Sequence, residues 1–560
     1  MRDRRTMLLR VVAALGLLVF TPALTRAQEP PPVPPGPLTL EQVLGLAEPR
    51  SESIQIAQAG VHRAEGDEVR ARSGRYPQLS ASAGYDRALA SEFEGLFDVQ
   101  APNCPPFTLN PQATIDARVA EIERAIGCGA VGGGAFGSTG SEFSNLPFGR
   151  KNTWRAGLQF SQNLYSGGRL GAQAAVASIG HESANLTLTS ARAQLLFEVT
   201  QAYYDAVLSE ALVTIASATL DQAGATLKQT QAGFDAGTQP EFEVLRARVN
   251  RDNQSPILIR QQTNRDVAML RLKRLLNLPV DYPLQLADAL GGDMLPPPTV
   301  YAERVGVVER MLRAGDQVPV SLQVNATLPD RTVVTAADAT VRAREAALKL
   351  AAAQKMPSLS FNSSYGRVGY PSGVSPTFDR ANWTVGASMT VPVLTGGRQR
   401  GDEVVAQAEL EQARLDRQQT AELAALDTRS AWAELLSARA TWEASSGTIE
   451  QAQRAYQIAN VRFTNGVSTQ LELSDSRLLL QQAEANRVQA ARDLQVARAH
   501  VALLPDLPIT AGGGQLSTAA ATVRVVGQSQ APVSPPPPPP AGSQIRSASF
   551  ATSGSQAGIQ

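Results

Sequence analysis

Two carboxylates in the C-terminal half of the chain are spaced so that they could attract cations together. Glu472 and Asp475 are three residues apart, about one helical turn, so they share one face of a helix. Carboxylates gathered on one face attract cations, and a ring of such groups selects ions by charge. A solvated helix face is the alternative interpretation.

The same positions occur once before, 229 residues earlier, with a changed charge pattern. Glu243 corresponds to Glu472, but Arg246 stands where the second copy has Asp475. The first repeat therefore has no pair of carboxylates at this position. Its arginine could instead form an ion pair with an acidic side chain of the neighbouring hairpin.

The other polar residues give no sign of catalysis. His62, His181 and His500 are far apart and lack metal-ligand spacing, and no nucleophile, base and orienting group occur together. The glycine pairs Gly167-Gly168 and Gly396-Gly397 lack the spacing of phosphate-binding loops, so we expect tight turns there. Acidic and basic side chains number 51 each, which gives no electrostatic reason to expect nucleic acid. We therefore expect no enzyme, no cofactor and no metal site.

A strand pattern precedes each glycine pair. Apolar and polar side chains alternate, with Trp154 and Trp383 at matched positions on the apolar face. A second pair of such strands repeats at an offset of 280. Strands of about ten residues with one apolar face have the length of strands that cross a bilayer. The four predicted strands are residues 76–87, 152–165, 356–366 and 382–394.

A helical hairpin follows each glycine pair. Proline is absent from residues 170–239 and 393–504, and strong helix formers dominate both tracts. The first helix of each hairpin is about 65 residues, roughly 100 Å long, which exceeds the depth of a globular core. Each hairpin turns at a glycine three residues after a phenylalanine. The predicted hairpins are residues 170–276 and 398–504, and the turn residues are Phe234, Gly237, Phe463 and Gly466.

The ends of the chain have a different composition. Arginines, the apolar run Val11 to Phe20 and small residues up to Ala27 predict a signal peptide, since ten apolar residues are too few to span a bilayer. The predicted segments are a signal peptide at 1–27, a proline-rich spacer at 28–37, a first repeat at 38–276, an inter-repeat segment at 277–331, a second repeat at 332–505 and a disordered tail at 506–560.

The loop between the first two strands is longer than its counterpart in the second repeat, and loops of variable length face solvent. It contains Cys104 and Cys128. Export makes a disulfide between them feasible. Two free thiols are the alternative.

Four membrane-length strands cannot close a barrel, because an open edge leaves backbone groups unpaired in lipid. Three copies would supply twelve strands and leave room for a lumen, whereas two would give eight strands with a filled interior. The chain is therefore expected to oligomerise.

The order strand, strand, long helix, short helix resembles the TolC-type outer-membrane efflux proteins over residues 38–505. The motifs that carry the resemblance are Y-P-Q-L-S and M-P-S-L-S at the first strands, L-Y-S-G-G-R and V-L-T-G-G-R before the long helices, and F-x-x-G at the hairpin tips. The resemblance implies a mainly α-helical protein with a membrane β-barrel. It would be a homotrimer with a twelve-stranded barrel and a periplasmic α-helical coiled-coil tunnel.

The resemblance also implies a function. Such a protein is the exit duct of a tripartite efflux or type I secretion system, in the outer membrane of a Gram-negative bacterium. Its partners would be an inner-membrane pump, a periplasmic adaptor (membrane fusion) protein and outer-membrane lipid.

The residues carried over fall into two groups. Some family members close the entrance with an arginine two residues after the tip glycine, where this chain has Gln239 and Ser468. The matched positions are Glu472, Asp475, Glu243 and Arg246 at the periplasmic entrance, and Phe234, Gly237, Phe463 and Gly466 at tips that contact the adaptor.

The two tryptophans of the strands are a separate case. Trp154 and Trp383, at the outer starts of their strands, suit an aromatic girdle at the membrane interface. Packing between protomers is the alternative.

An exported, non-conducting coiled-coil scaffold or surface protein, with the strands in a small soluble sheet, is the alternative. A periplasmic adaptor fits less well, because the chain has two hairpins.

Overall fold

The structure is a computed structural model that describes residues 34, 36–90, 105, 107–128, 151–290, 295–314, 331–371 and 373–509. The predicted signal peptide, most of the proline-rich spacer, Cys104 and the tail from residue 510 onward lie outside the described residues.

Four strands form one antiparallel sheet in chain order. Within the described residues, the outer strands β1 and β4 each pair with one neighbour, so each has an open edge. The strands are β1 at Gln78–Arg87, β2 at Asn152–Tyr165, β3 at Ser358–Gly369 and β4 at Arg380–Thr390.

Three strands differ from the alternation pattern at their ends. The strand β4 ends at Thr390, which pairs with the first residue of β3, Ser358, and Pro392 just beyond has no N–H to donate. The strand β1 begins after Pro77 for the same reason. The strand β3 continues to Gly369 because Trp154 at the start of β2 pairs with it.

The register places one apolar and one polar face on the sheet. Leu158 pairs with Ala81 and Tyr365, and Tyr365 pairs with Trp383, so one apolar row crosses all four strands. On the other face, Ser364 and Thr384 hydroxyls lie 2.7 Å apart. The two hairpins share one register, because adding the offsets 280 and 229 to the pair Ala81 and Leu158 gives the pair Phe361 and Ala387.

Two helices of 67 residues dominate the fold. Each has a glycine with positive φ as its N-cap and is followed by a shorter return helix. The helices are α1 at Leu40–Arg50, α2 at Glu52–Ser73, α3 at Ile115–Gly127, α4 at Arg169–Asp235, α5 at Glu241–Leu275, α6 at Thr299–Ala314, α7 at Thr332–Ala353, α8 at Arg398–Thr464 and α9 at Gln470–Leu503.

None of the helices described combines the length and the apolarity needed to cross a membrane.

The helices pack along their lengths rather than around one centre. Near the sheet, α4 contacts α2 and α7, and α7 contacts α8. Farther away, α4 packs with α5 and α9, and α8 packs with α9. The largest core lies between these halves, where the hydroxyl of Tyr203 is 2.7 Å from Asp288 Oδ2.

A buried ion pair fastens the second repeat to the chain that follows α9. The side chains of Arg331 and Asp427 are 7% and 3% exposed and lie 2.6 Å apart. Arg331 also donates to the carbonyl oxygen of Leu507 at 3.0 Å. The start of α7, the middle of α8 and the end of the second repeat therefore meet at one charged contact.

Candidate functional site

Both hairpin tips end in the same helix cap. Gly237 and Gly466 have φ of 75° and 74°, which a residue with a Cβ rarely adopts. The N–H of Gly237 donates to Phe234, and the N–H of Thr238 donates to Gly233, both at 2.8 Å. Gly466 and Val467 make the same two bonds in the second tip. This Schellman pattern satisfies the last helix carbonyls and reverses the chain.

The two tip phenylalanines are not equivalent. Phe463 is 8% exposed and packs with Ala459 and Leu473, whereas Phe234 is 41% exposed. Phe463 therefore stabilises its own hairpin. Of this pair, Phe234 is the side chain that offers apolar surface at the tip.

The two acidic residues of the second tip have different surroundings. Glu472 accepts a hydrogen bond from the Ser468 hydroxyl at 2.9 Å and lies 3.3 Å from Arg462 Nη1. Its backbone N–H donates to Thr469, the N-cap of α9. Asp475, one turn later, is exposed. The charge of Glu472 is thus offset locally.

A buried amide joins the two tips. Gln470 is 3% exposed, and with its amide assigned by hydrogen-bond partners it donates to Glu243 Oε2 at 2.7 Å and to the Glu243 carbonyl at 3.1 Å. The contact across the hairpins therefore involves Glu243, while the predicted pairing residue Arg246 is half-buried. Gln470 is not among the predicted site residues; its one signal in the sequence is that it stands where the first repeat has Glu241.

The glycine pairs form the strand-to-helix turns. Gly167 and Gly396 have φ of 61° and 59°, and Gly168 and Gly397 have φ of 87° and 86°. A Cβ on Gly167 would overlap the side chain of Met356, whereas a Cβ on Gly396 would meet open space. The first turn is therefore packed and the second is not.

The two tryptophans lie on the apolar face but in different rows of the sheet. The ring of Trp154 packs against that of Tyr85, with centroids 4.8 Å apart and planes tilted by 38°. Trp383 is 72% exposed and lies in the row of Leu158, four residues along β2 from Trp154. Each tryptophan has a tyrosine as its cross-strand partner, because Trp383 pairs with Tyr365.

The loop between β1 and β2 contains α3, which ends beside Cys128. Cys128 is disulfide-bonded. Cys104, the other cysteine of the chain, lies outside the described residues.

The histidines serve packing and ion pairs. His181 lies 2.8 Å from Glu68 on α2, and the ring of His500 is 5.0 Å from that of Phe197. Burial lowers the pKa of His500, although the carboxylates of Asp427 and Glu434 raise it. Across the described residues, no group of three or more His, Cys, Asp or Glu is placed to hold a metal ion.

Comparison with known proteins gives the family. The model of the outer membrane efflux protein family matches residues 119–278 and 324–505. The pyoverdine export outer membrane protein OpmQ of Pseudomonas putida is 27% identical over 340 residues, which are 60% of this chain and 65% of that relative. The chain thus spans less than two thirds of the length of that relative.

Solved structures show the same fold. The outer membrane protein VceC from Vibrio cholerae has a TM-score of 0.60 at 17% identity, over 83% of this chain and 96% of that chain. The Campylobacter jejuni CmeC outer membrane channel has a TM-score of 0.61 at 15% identity, over 84% and 87%. The resemblance stated from the sequence motifs is confirmed, and the chain belongs to the outer membrane efflux protein family.

Proposed function

We propose that three copies of this chain form the outer-membrane exit duct of a tripartite efflux or type I secretion system. The duct receives solutes from an inner-membrane pump through a periplasmic adaptor and passes them to the outside. The membership of the family supports the class of function. The observation that carries the proposal is the four-stranded sheet, which has two open edges within the described residues of one protomer.

The sheet has the edges that a closed ring needs. The strands β1 and β4 have open edges within the described residues, and all three pairings are antiparallel. With an even number of strands, β4 of one copy runs antiparallel to β1 of the next. Three copies then give twelve strands, enough for an open lumen.

The sheet also has the faces that a membrane barrel needs. Val385, Met389 and Leu158 on the apolar face are 60%, 65% and 47% exposed. The opposite face carries serine, threonine, asparagine and glycine. Lipid outside and water inside would satisfy both faces.

The long helices extend the duct into the periplasm. At about 1.5 Å per residue, a helix of 67 residues is roughly 100 Å long. Three copies would gather six such helices and six return helices into one tube. The tips, with Glu472 and Asp475, would then surround the entrance, where acidic side chains favour cations.

Two substitutions on neighbouring residues of β4 test the proposal. Val385→Arg places a charge on the apolar face, which in lipid costs about 2–4 kcal/mol per copy near the bilayer midplane. Thr384→Arg places the same charge on the polar face and is the matched control. We expect Val385→Arg to abolish stable trimers in outer-membrane fractions and Thr384→Arg to preserve them.

Equal amounts of trimer for the two variants would contradict a lipid-facing sheet. That result would favour the exported scaffold with a small soluble sheet.

A further inference from the structure

The helix α3 carries an exposed apolar stripe that nothing in its own protomer covers within the described residues. Ile115, Val119, Ile122 and Ile126 are 70%, 47%, 37% and 58% exposed. Their spacing of four, three and four residues puts them on one narrow face.

The side of α3 next to this stripe is fixed by its own loop. Arg124 donates to the carbonyl oxygen of Pro105 at 3.3 Å and pairs with Glu121 at 2.6 Å. The pKa of Glu121 is lowered by its hydrogen bond with Arg124 and by the backbone of Thr108. The described part of the loop therefore holds α3 from one side and does not cover the apolar stripe.

The spacing and residue types of the stripe are those of a coiled-coil seam. Ile115 and Ile122 occupy d positions, and Val119 and Ile126 occupy a positions. Isoleucine at both a and d favours three or four strands over two. We propose that the α3 helices of three protomers associate through this stripe as a parallel three-stranded coiled coil at the extracellular mouth of the duct.

The flanking charges fit this partner. Arg118 occupies a g position and Glu123 the following e position, which are the positions that form ion pairs between parallel helices. Within the described part of the chain neither side chain has an ion-pair partner. A second copy would supply a partner for each.

The position of the loop allows three copies to meet. The chain leaves the sheet at Arg87 and returns at Asn152, and Ala88 donates to Lys151 at 2.8 Å. This end of the sheet is opposite the turn into α4. In the proposed trimer three such loops surround one axis, and three-fold symmetry gives their helices the same polarity along that axis, as a parallel coiled coil requires. Tethering at one mouth raises the effective concentration of the three helices for one another to roughly the millimolar range. This compensates for the weak association expected of a helix this short.

The charges of α3 argue against a lipid surface as the occupant. The helix has three acidic residues and two arginines, whereas helices that lie on membranes are rich in basic side chains. The acidic residues are Asp116, Glu121 and Glu123.

The inference rests on the proposed trimer, and cysteine cross-linking in purified full-length trimers tests it. Ile122→Cys puts thiols in the seam, where Cα atoms approach within the roughly 7 Å that a disulfide requires. Ala120→Cys, also exposed, lies on the outer side of the helix and is the control. We expect inter-protomer disulfides from Ile122→Cys at about ten times the yield from Ala120→Cys.

Stable trimers with equal or absent cross-linking for both variants would overturn the coiled coil and leave the duct standing. Failure of the protein to form trimers would overturn the proposed function and this inference together.

A charge exchange tests the same contact independently. In the Ile122→Cys background, Arg118→Glu or Glu123→Arg alone should lower the cross-linked fraction severalfold, because like charges then face each other. The double exchange Arg118→Glu/Glu123→Arg should restore it. A double variant as poor as the single ones would contradict the pairing.

Discussion

At the scale of single residues, the two acidic side chains of the second tip differ in how much charge they present. Glu472 is held by Ser468 and Arg462, whereas Asp475 is exposed on the next turn. If the tips form a cation-selective entrance, Asp475 contributes more of the field there than its neighbour does.

We therefore expect Asp475→Asn to lower the cation-to-anion permeability ratio by about twofold or more, and Glu472→Gln to lower it less. Reversal potentials across planar bilayers in a salt gradient measure both ratios. A larger effect of Glu472→Gln would show that Arg462 does not offset its charge.

His500 should make stability depend on pH. Its pKa lies below the ordinary value of 6.5, because burial opposes the charged form. Below about pH 6.5 the unfolded chain therefore binds a proton at His500 more readily than the folded chain does. The contribution of His500 to the free energy of unfolding is complete above about pH 6.5, and it decreases as the pH drops towards the folded pKa. Trimer melting temperatures at about pH 7.5 and 5.5 measure the loss.

His500→Gln should reduce this loss. His62→Gln, at a side chain that is 79% exposed, is the matched control and should leave the loss unchanged. Equal pH dependence in the wild type and His500→Gln would contradict the assignment.

At the scale of elements, the two strand-to-helix turns have the same backbone and different surroundings. An alanine in the left-handed region costs about 1–2 kcal/mol at either Gly167 or Gly396. At Gly167 the added methyl group also overlaps Met356, which adds about 1–3 kcal/mol. Thermal unfolding should therefore show a larger loss for Gly167→Ala than for Gly396→Ala, and equal losses would contradict the packing of the first turn.

The buried contact at Arg331 tests how the second repeat is closed. Arg331→Met leaves the carboxylate of Asp427 without its cation in a dry site, which costs about 3–5 kcal/mol. The double variant Arg331→Met/Asp427→Leu removes both charges and should recover most of that stability. Denaturant unfolding measures both, and a double variant less stable than the single one would contradict the account.

The elements follow from local sequence, whereas the contacts between them do not. Alternation marks the residues of β2, and glycine spacing marks both tips, because each is a property of neighbouring residues. Gln470 and Glu243 belong to different repeats, so no local pattern joins them. Phe234 and Phe463 look equivalent in sequence, yet only the second is covered by Leu473. Burial depends on the neighbour, which the repeat does not specify.

At the scale of the whole molecule, one protomer leaves surfaces exposed that an oligomer would cover. Its sheet has two open edges and an exposed apolar face within the described residues, and its 67-residue helices pack side by side around no single centre. Closing the sheet with two further copies and enclosing a tube between the helices would satisfy these surfaces together. Conduction is the property that would distinguish the proposed assembly from a scaffold.

Single-channel recording of the purified full-length protein in planar bilayers measures conduction. We expect discrete openings from wild-type trimers and from Thr384→Arg, and none from Val385→Arg, which cannot present an apolar band to lipid. Detergent-stable wild-type trimers that insert into the bilayer without any conductance step would contradict the proposed exit duct.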